Sequence, residues 1–123
     1  MAMWTSDELA SIGGAEEVRI AALRPDGTLR KAVVVWLVRV GDDLYVRSVN
    51  GRNAAWFRGV QPRHAGRLWA AGLEKDVDFV ESSDRQDEIE AAYHRKYAHY
   101  PTIVPHIVTP ETRATTLKLV PRA

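Results

Sequence analysis

The segment Arg47-Ser48-Val49-Asn50-Gly51-Arg52-Asn53 contains several groups that bind anions. Arg47 and Arg52 carry guanidinium groups that can form bidentate pairs with a phosphate, and the Ser48 hydroxyl is a further donor. Gly51 lets a ligand approach the backbone closely because it has no side chain. Since the segment leads from a predicted strand into a predicted helix, the first N–H groups of the helix would point to the same place. The pattern is typical of a phosphate site, with a solvated basic loop as the alternative.

The charge around this segment is one-sided, although the chain as a whole is nearly neutral. The formal net charge is +1, but no Asp or Glu occurs between Leu44 and Leu73. Aromatic side chains also lie in this stretch, as in proteins that stack bases on aromatic rings, but the balanced charge and the lack of a nucleic-acid-binding motif argue against a nucleic-acid partner. We therefore expect a local anion site, supplied by Arg47, Arg52, Arg58, Arg63 and Arg67 together with His64.

No other motif supplies a complete catalytic site. The sequence has no nucleophile elbow, dinucleotide-binding glycine pattern, phosphate-loop lysine motif or HExxH zinc motif. It has no cysteine, and its four histidines lack the spacing that brings two of them onto one metal ion, so we expect no metal site. Chemistry in such a protein would come from a bound cofactor, which can transfer a hydride or electrons without an acid/base pair from the protein.

Periodicity predicts about six short strands that position the segment. They cover residues 17–24, 30–40, 44–49, 66–71, 75–81 and 115–120. Turn signals at Pro25-Asp26-Gly27, Gly41-Asp42 and Ala71-Gly72 separate successive strands. Residues 30–40 are apolar on both faces, which is typical of a strand that is covered on both sides. Short meandering strands with a closing partner near the C-terminus predict a small antiparallel barrel.

Two or three helices are predicted to flank the barrel, at residues 5–14, 52–59 and 83–100. Gly59 stands where a C-terminal cap of the second helix would be. The third helix carries an apolar stripe that is typical of a face packed on a core, formed by Ile89, Tyr93, Tyr97 and Tyr100. Residues 101–109 are predicted to be an apolar loop, followed by a short helical turn that starts at Thr109-Pro110-Glu111.

Size and composition predict one globular domain over residues 1–123. The chain has 123 residues, of which 46% are hydrophobic and 27% charged, as is usual for globular proteins. No apolar run approaches the roughly 20 residues of a membrane helix, so we expect no membrane partner. The acidic N-terminal stretch, residues 1–8, lacks the pattern of a signal peptide, and together with the absence of cysteine this predicts a cytoplasmic protein.

The order of these features in residues 15–121 resembles the pyridoxamine 5'-phosphate oxidase-like, FMN-binding split barrels and the related deazaflavin-dependent nitroreductases. In those families a strand begins with basic residues and runs apolar, as Arg30-Lys31-Ala32-Val33-Val34-Val35-Trp36 does here. The next strand ends in a polar turn, followed by a small residue, basic residues, a helix and a proline, here Pro62. The chain is most similar to a bacterial group of this superfamily that has no assigned activity.

The resemblance implies an α+β fold, a small antiparallel split β-barrel, with a cofactor at the turn. Arg30 and Arg52 would bind the cofactor phosphate, Ser48 and Asn50 would line the ribityl chain, and Trp56 would support the site. The backbone around residues 33–35 would face the isoalloxazine edge. The predicted cofactor-binding set is Arg30, Lys31, Val33, Val35, Trp36, Arg47, Ser48, Asn50, Gly51, Arg52, Asn53 and Trp56.

By the same resemblance the protein is a flavin (FMN) or deazaflavin-dependent oxidoreductase that acts on an unknown small-molecule substrate. It would form a homodimer with the cofactor site across the interface, and Tyr93, Tyr97 and Tyr100 could close over the flavin ring. Gly51 stands where the FMN enzymes have a serine, and Asn53 where they have a lysine. A deazaflavin coenzyme, or no cofactor, therefore stays open, and the alternative function is a non-catalytic binding or interaction domain that has lost the cofactor.

Overall fold

The structure is a computed structural model that describes residues 3–122. Met1 and Ala2, part of the stretch that argues against a signal peptide, lie outside the described residues, as does Ala123. The elements follow in the order α1 (Ser6–Gly14), β1 (Val18–Ala22), β2 (Val33–Val40), β3 (Asp43–Arg47), a 3-10 turn (Gly51–Asn53), α2 (Ala55–Val60), β4 (Ala65–Ala70), β5 (Leu73–Glu81), α3 (Gln86–Lys96), α4 (Val104–Ile107), α5 (Pro110–Arg113) and β6 (Leu117–Pro121).

Six antiparallel strands close into one barrel, in the order β1-β2-β3-β6-β5-β4. β1 pairs with β4 along its whole length but with β2 only at residues 33–35, so β2 continues beyond its partner. Alternation in β1 places Val18 and Ile20 in the interior and Arg19 in solvent, as a half-buried strand requires. The predicted α+β fold with a small antiparallel barrel of six strands is confirmed.

The turns and the first helix follow the chemistry that the sequence predicts. Thr5 caps α1 and forms a capping box with Glu8, with hydrogen bonds of 3.1 Å and 2.9 Å. The β2–β3 hairpin turns at Gly41, where φ is +60°, and the β4–β5 hairpin turns at Ala71 and Gly72, both with positive φ. These positions allow the tight antiparallel connections that bring β3 and β5 to either side of β6.

Helix α3 packs on the outer face of β2 and forms a second core outside the barrel. Ile89, Tyr93 and Tyr97 are all 0% exposed, so the stripe belongs to the core, as its helical spacing predicts. The Tyr93 hydroxyl donates to the Trp36 carbonyl at 2.6 Å. Desolvation raises the pKa of both tyrosines well above the ordinary value. The two hydroxyls therefore stay protonated and hold α3 on the strand.

On the side of β2 that β1 does not reach, Leu37 is hydrogen-bonded by Lys96 at the end of α3 and by its C-cap residue Tyr97. The Tyr97 hydroxyl accepts from the Leu37 N–H at 3.1 Å and lies 2.7 Å from the Leu37 carbonyl oxygen. Lys96 Nζ donates to the same carbonyl at 2.7 Å. Side chains of a helix thus satisfy backbone groups that β1 does not reach.

Several element predictions are wrong at the level of detail. β2 begins at Val33 rather than at residue 30, and only its later part is covered on both faces, because Val34 is 54% exposed. The segment predicted as an apolar loop contains α4, and with α5 the described chain has five helices rather than two or three. Gly59 lies inside α2, where its missing side chain makes room for Arg30.

None of the helices within residues 3–122 combines the length and the apolarity needed to cross a membrane. The predicted homodimer stays a prediction. The start of β2 is apolar and exposed at Val34, which is the kind of surface that a partner subunit would cover.

Candidate functional site

The predicted anion-binding segment forms a tight turn between β3 and α2. The Ser48 hydroxyl donates to the Gly51 carbonyl at 2.7 Å, and the Gly51 N–H donates back to the Ser48 carbonyl at 3.0 Å. Gly51 has φ +76°, a conformation that favours glycine, and its Cα faces open space. The helix predicted at 52–59 starts only at Ala55, after the 3-10 turn. The Ser48 hydroxyl and the Gly51 N–H therefore both donate within the turn, which corrects the prediction that the Ser48 hydroxyl donates to a ligand.

A cleft of about 530 Å³ opens beside this turn. Two hydrogen bonds join the turn to the far wall, which the α4–α5 region forms. Ser48 N–H donates to Thr115 Oγ1 at 2.8 Å, and Arg52 Nη1 donates to the Ala114 carbonyl at 2.7 Å. The volume lies within the range of about 300 to 1,000 Å³ that small-molecule sites occupy. The cleft is lined by Val49, Asn50, Gly51, Arg52, Asn53, His106, Thr109, Glu111 and Ala114.

Arg52 is the predicted phosphate ligand that the structure places in the cleft. Besides the Ala114 carbonyl, its Nη1 contacts Glu81 Oε1 at 3.3 Å in an exposed ion pair. Its guanidinium carbon lies 5.0 Å from the centre of the Phe57 ring. Among the described residues, neither Nε nor Nη2 of Arg52 has a hydrogen-bond partner. One edge of a held guanidinium is thus left for a bidentate contact with an anion.

Arg47 has a different environment, which corrects its predicted role. It is 1% exposed and does not line the cleft. Its Nε donates to Thr116 Oγ1 at 3.1 Å, and its Nη1 donates to the Ile107 carbonyl at 3.0 Å. Its Nη2 donates to Gln86 Oε1, and its Nη1 lies 3.4 Å from Glu90 Oε2. We call Arg47, Gln86, Glu90 and Thr116 the internal polar cluster.

Glu90 provides the negative charge of the internal polar cluster. Arg113 donates to both of its carboxylate oxygens from the protein surface. The hydrogen bond from Arg113, aided by the charge of Arg47, holds the pKa of Glu90 below its ordinary value, although partial burial opposes this effect. Burial lowers the pKa of Arg47, but a guanidinium stays charged in proteins. Arg47 is therefore a buried cation with internal partners and serves the fold.

The other predicted basic ligands lie outside the cleft of one chain. Arg30 is exposed, and its side chain packs along Gly59, where an added Cβ would lie 2.8 Å from Arg30 Cδ. Lys31 is exposed in the connection before β2. Asn50 and Asn53 are exposed and line the cleft. The structure thus brings Asn50, Gly51, Arg52 and Asn53 together at one wall.

The predicted apolar contacts of the cofactor are spread over both cores. Val35 is 3% exposed and lies in the barrel core, against which the half-buried Val33 also packs. Trp36 lies on the opposite face of β2, with its ring edge-on to Tyr97 at 4.9 Å between centroids. Trp56 packs on the barrel core, edge-on to Phe57 at 5.8 Å. None of these four apolar side chains lines the cleft.

Three polar residues of the far wall were missed in the sequence. His106 lies on α4, and Thr109 and Glu111 belong to α5 and its cap. The Thr109-Pro110-Glu111 pattern does predict the start of α5, which is confirmed. Nothing local shows that α5 returns to the turn at residue 51, because that proximity depends on β6 pairing with β3. Glu111 places one carboxylate opposite Arg52.

Solved structures of other proteins share the barrel with its flanking helices. A solved structure named "F420 Reductase" is 15% identical, with a TM-score of 0.51 over 94% of this chain and 93% of that chain. A conserved hypothetical protein from Mycobacterium tuberculosis is 11% identical, with a TM-score of 0.60 over 99% and 83%. An FAD and heme binding protein from Mycobacterium smegmatis is 17% identical, with a TM-score of 0.52 over 94% and 65%. At these identities the likeness shows the fold alone.

The chain belongs to the family described as "Uncharacterized protein conserved in bacteria (DUF2255)", whose model matches residues 8–119. No curated protein matches it. The prediction of a bacterial group without an assigned activity is confirmed at the level of this family, whose description names no activity. Its place among the pyridoxamine 5'-phosphate oxidase-like proteins stays a prediction.

Proposed function

We propose that this protein binds a phosphate-bearing flavin-type cofactor, FMN or a deazaflavin, in the cleft beside the 3-10 turn. With that cofactor it would act as an oxidoreductase on a small molecule. The observation that carries the proposal is the Nε–Nη2 edge of Arg52, which has no partner within residues 3–122 and is held at the wall of a cleft of ligand size. The proteins of the same fold whose names mention F420 or FAD support a cofactor of this class.

The residues of the cleft fit such a group. Arg52 supplies charge and a bidentate edge, and the side-chain amides of Asn50 and Asn53 supply donors and acceptors. Gly51 leaves its wall open, since a Cβ there would meet no atom within 4 Å. Glu111 repels a dianion from the far wall, so the phosphate belongs on the Arg52 side. The rest of the ligand would extend towards His106.

The protein's share of the chemistry would be binding and orientation. A bound flavin-type cofactor supplies the hydride or electron transfer itself. Arg52 would fix the phosphate, and the far wall would limit access of water to the other end of the cleft. Arg30 and Lys31 remain proposed contacts, since both are exposed cations at the start of β2. Arg47 and the Ser48 hydroxyl are left out because internal partners occupy them.

One observation favours the second candidate, a non-catalytic binding domain that has lost the cofactor. The Ser48 hydroxyl donates to the Gly51 carbonyl instead of to a ligand, and the residue that follows Arg52 is the uncharged Asn53. One guanidinium would then hold the whole phosphate, which is fewer donors than phosphate sites commonly provide.

The test is a pair of titrations that isolates the phosphate. Quenching of flavin fluorescence should saturate with FMN, and riboflavin, which lacks the phosphate, should bind more weakly. Arg52→Ala should weaken FMN binding about 10- to 100-fold, the value of one lost charged hydrogen-bonding group, and should leave riboflavin nearly unchanged. Arg58→Ala is the matched control, because Arg58 is exposed on α2 and does not line the cleft.

The outcomes separate the two candidates. Saturation with FMN or a deazaflavin, together with reduction of the bound cofactor by NAD(P)H, would exclude the non-catalytic domain. No saturation with either cofactor would reject the oxidoreductase. If Arg52→Ala and Arg58→Ala lose the same FMN affinity, the phosphate is not bound at the turn.

A further inference from the structure

A second cleft, between α1, β2 and α3, brings three cationic side chains together. It measures about 240 Å³ and is lined by Gly13, Val38, Arg39, Ala92, Arg95 and Lys96. Among residues 3–122 none of these three cations forms an ion pair, whereas ten other basic side chains, two of them histidines, do. Like charges at short range repel each other unless an anion joins them. Such an arrangement favours a negatively charged ligand.

Lys96 stands out among the three because it lines the cleft and its amine is partly buried and held by a hydrogen bond. Nζ donates to the Leu37 carbonyl at 2.7 Å and lies 5.1 Å from the centre of the Tyr97 ring. Burial lowers the pKa of Lys96 to about 8, and the carboxylate of Glu16 opposes this effect. That carboxylate is itself bound to His99 at 2.9 Å. Near pH 8 a large share of the Lys96 amine is thus neutral and nucleophilic, unlike an ordinary lysine with a pKa of about 10.4.

The two arginines line the same cleft as Lys96 and supply its other positive charges. Arg39 Nε donates to the Gly41 carbonyl at 2.8 Å, and its stem packs on Gly13, where an added Cβ would lie 3.0 Å from Arg39 Cβ. Arg95 precedes Lys96 in the last turn of α3. Both arginines also line the adjoining groove, where the carboxylate of Glu88 is the opposing charge.

We propose that this cleft binds small carbonyl compounds that carry a carboxylate, and that the Lys96 amine condenses with their carbonyl carbon to form a reversible imine. A lysine amine that is desolvated and lies beside other cations is the form that enzymes use for this reaction. The nitrogen lone pair adds to the carbonyl carbon, the resulting carbinolamine loses water, and one solvent proton gives the iminium. The remaining N–H can still donate to the Leu37 carbonyl, while Arg39 and Arg95 pair with the carboxylate.

The experiment uses the intact protein and two aldehydes that differ in charge, glyoxylate and acetaldehyde. Each is incubated with the protein at pH 8, the imine is trapped with cyanoborohydride, and peptide mass spectrometry measures labelling at each lysine. The chain has three other lysines as internal standards, Lys31, Lys75 and Lys118. Glyoxylate should label Lys96 about tenfold more than the exposed Lys31, because more of the Lys96 amine is neutral.

A double variant, Arg39→Gln with Arg95→Gln, tests the carboxylate contact. Both side chains are exposed, so the fold should persist, which circular dichroism checks. The ratio of glyoxylate to acetaldehyde labelling at Lys96 should fall about tenfold. A change in the Lys96 pKa would alter labelling by both aldehydes by the same factor, so it does not affect their ratio. Lys96→Arg keeps a donor to the Leu37 carbonyl and should abolish labelling at that position.

Two results would overturn the proposal: equal glyoxylate labelling of Lys96 and Lys31, or an unchanged labelling ratio in the double variant. Neither result bears on flavin binding, because the two clefts share no lining residue.

Discussion

Arg47 and Arg52 stand at the two ends of one turn, yet they serve different parts of the molecule. Arg47 is 1% exposed and is bonded within the internal polar cluster, whereas Arg52 lines a cleft and keeps one guanidinium edge without a partner among the described residues. Both belong to the same carboxylate-free stretch of sequence. The difference shows that residue type and position in a motif do not decide the role of a charged residue near the end of a strand. Its role depends on whether another element covers it.

The physical reason lies in β3. Leu44 and Val46 face the barrel core, and Tyr45, on the other face, joins the second core under α3. Arg47 shares the face of Tyr45, since alternate residues of a strand point the same way. A guanidinium under a helix must find internal partners, because an unpaired buried charge is costly. Beyond Arg47 the strand ends, and Arg52 has no such cover.

The largest effect should come from replacing each arginine with methionine. Arg47→Met removes the hydrogen bonds to Gln86 and to the Ile107 carbonyl and the positive charge that faces Glu90, so we expect a loss of about 3 kcal/mol in the free energy of unfolding. Arg52→Met removes an exposed ion pair, one hydrogen bond and the contact of the guanidinium with the Phe57 ring, so we expect about 1 kcal/mol or less. Urea denaturation at pH 7 measures both values, and equal losses would show that the two ends of the turn do not differ.

Glu90→Gln tests the internal polar cluster through its dependence on pH. At pH 7 we expect a loss of about 2 kcal/mol in the free energy of unfolding, because the buried Arg47 loses its counter-charge. The folded-state pKa of Glu90 is lowered, so its stabilising contribution is complete above the unfolded-state pKa of about 4.3. The contribution is lost as the pH falls through the lowered folded-state pKa. The stability gap between wild type and Glu90→Gln should therefore narrow below about pH 4 in denaturation series.

A gap that stays constant down to pH 3 would show that Glu90 acts by packing rather than by charge. Glu88→Gln is the matched control on the same helix. Glu88 has no ion pair among the described residues, so its variant should show no gap of this kind.

The smallest effect concerns the turn itself. Gly51→Ala should cost about 1 kcal/mol, because alanine at φ +76° is strained although the space is open. Gly14→Ala is the matched control, since Gly14 also faces open space but does not have a positive φ. Thermal unfolding compares the two variants. A Gly51→Ala variant as stable as Gly14→Ala would mean that the turn relaxes to another conformation.

Local patterns were sufficient to predict most of the fold. The alternation in β1, the hairpin at Gly41 and the tyrosine stripe of α3 each predicted an element that the structure contains. The patterns failed for α4, since four residues that include Pro105 are too few to show a helical period. They also overestimated β2, because Val34 is as apolar as its neighbours and yet exposed.

The candidate site was predictable on one wall only. Arg52 and its neighbours could be found because glycine, amide and guanidinium groups are adjacent in sequence. His106 and Glu111 reach the cleft through tertiary pairing of β6, which no local pattern records. The internal role of Arg47 had one available signal, its shared strand face with Tyr45, but using it requires knowing that α3 covers that face.

Helix α3 has a protective role that follows from its bonds to Leu37. The N–H and carbonyl of Leu37 would otherwise form an unpaired strand edge, which is a template for a strand from another molecule. Conditions that detach α3 therefore expose the apolar edge of β2 at Leu37, with its free N–H and carbonyl, before the barrel itself opens. Loosening of this one helix would therefore expose a strand edge on which a strand of another molecule can pair.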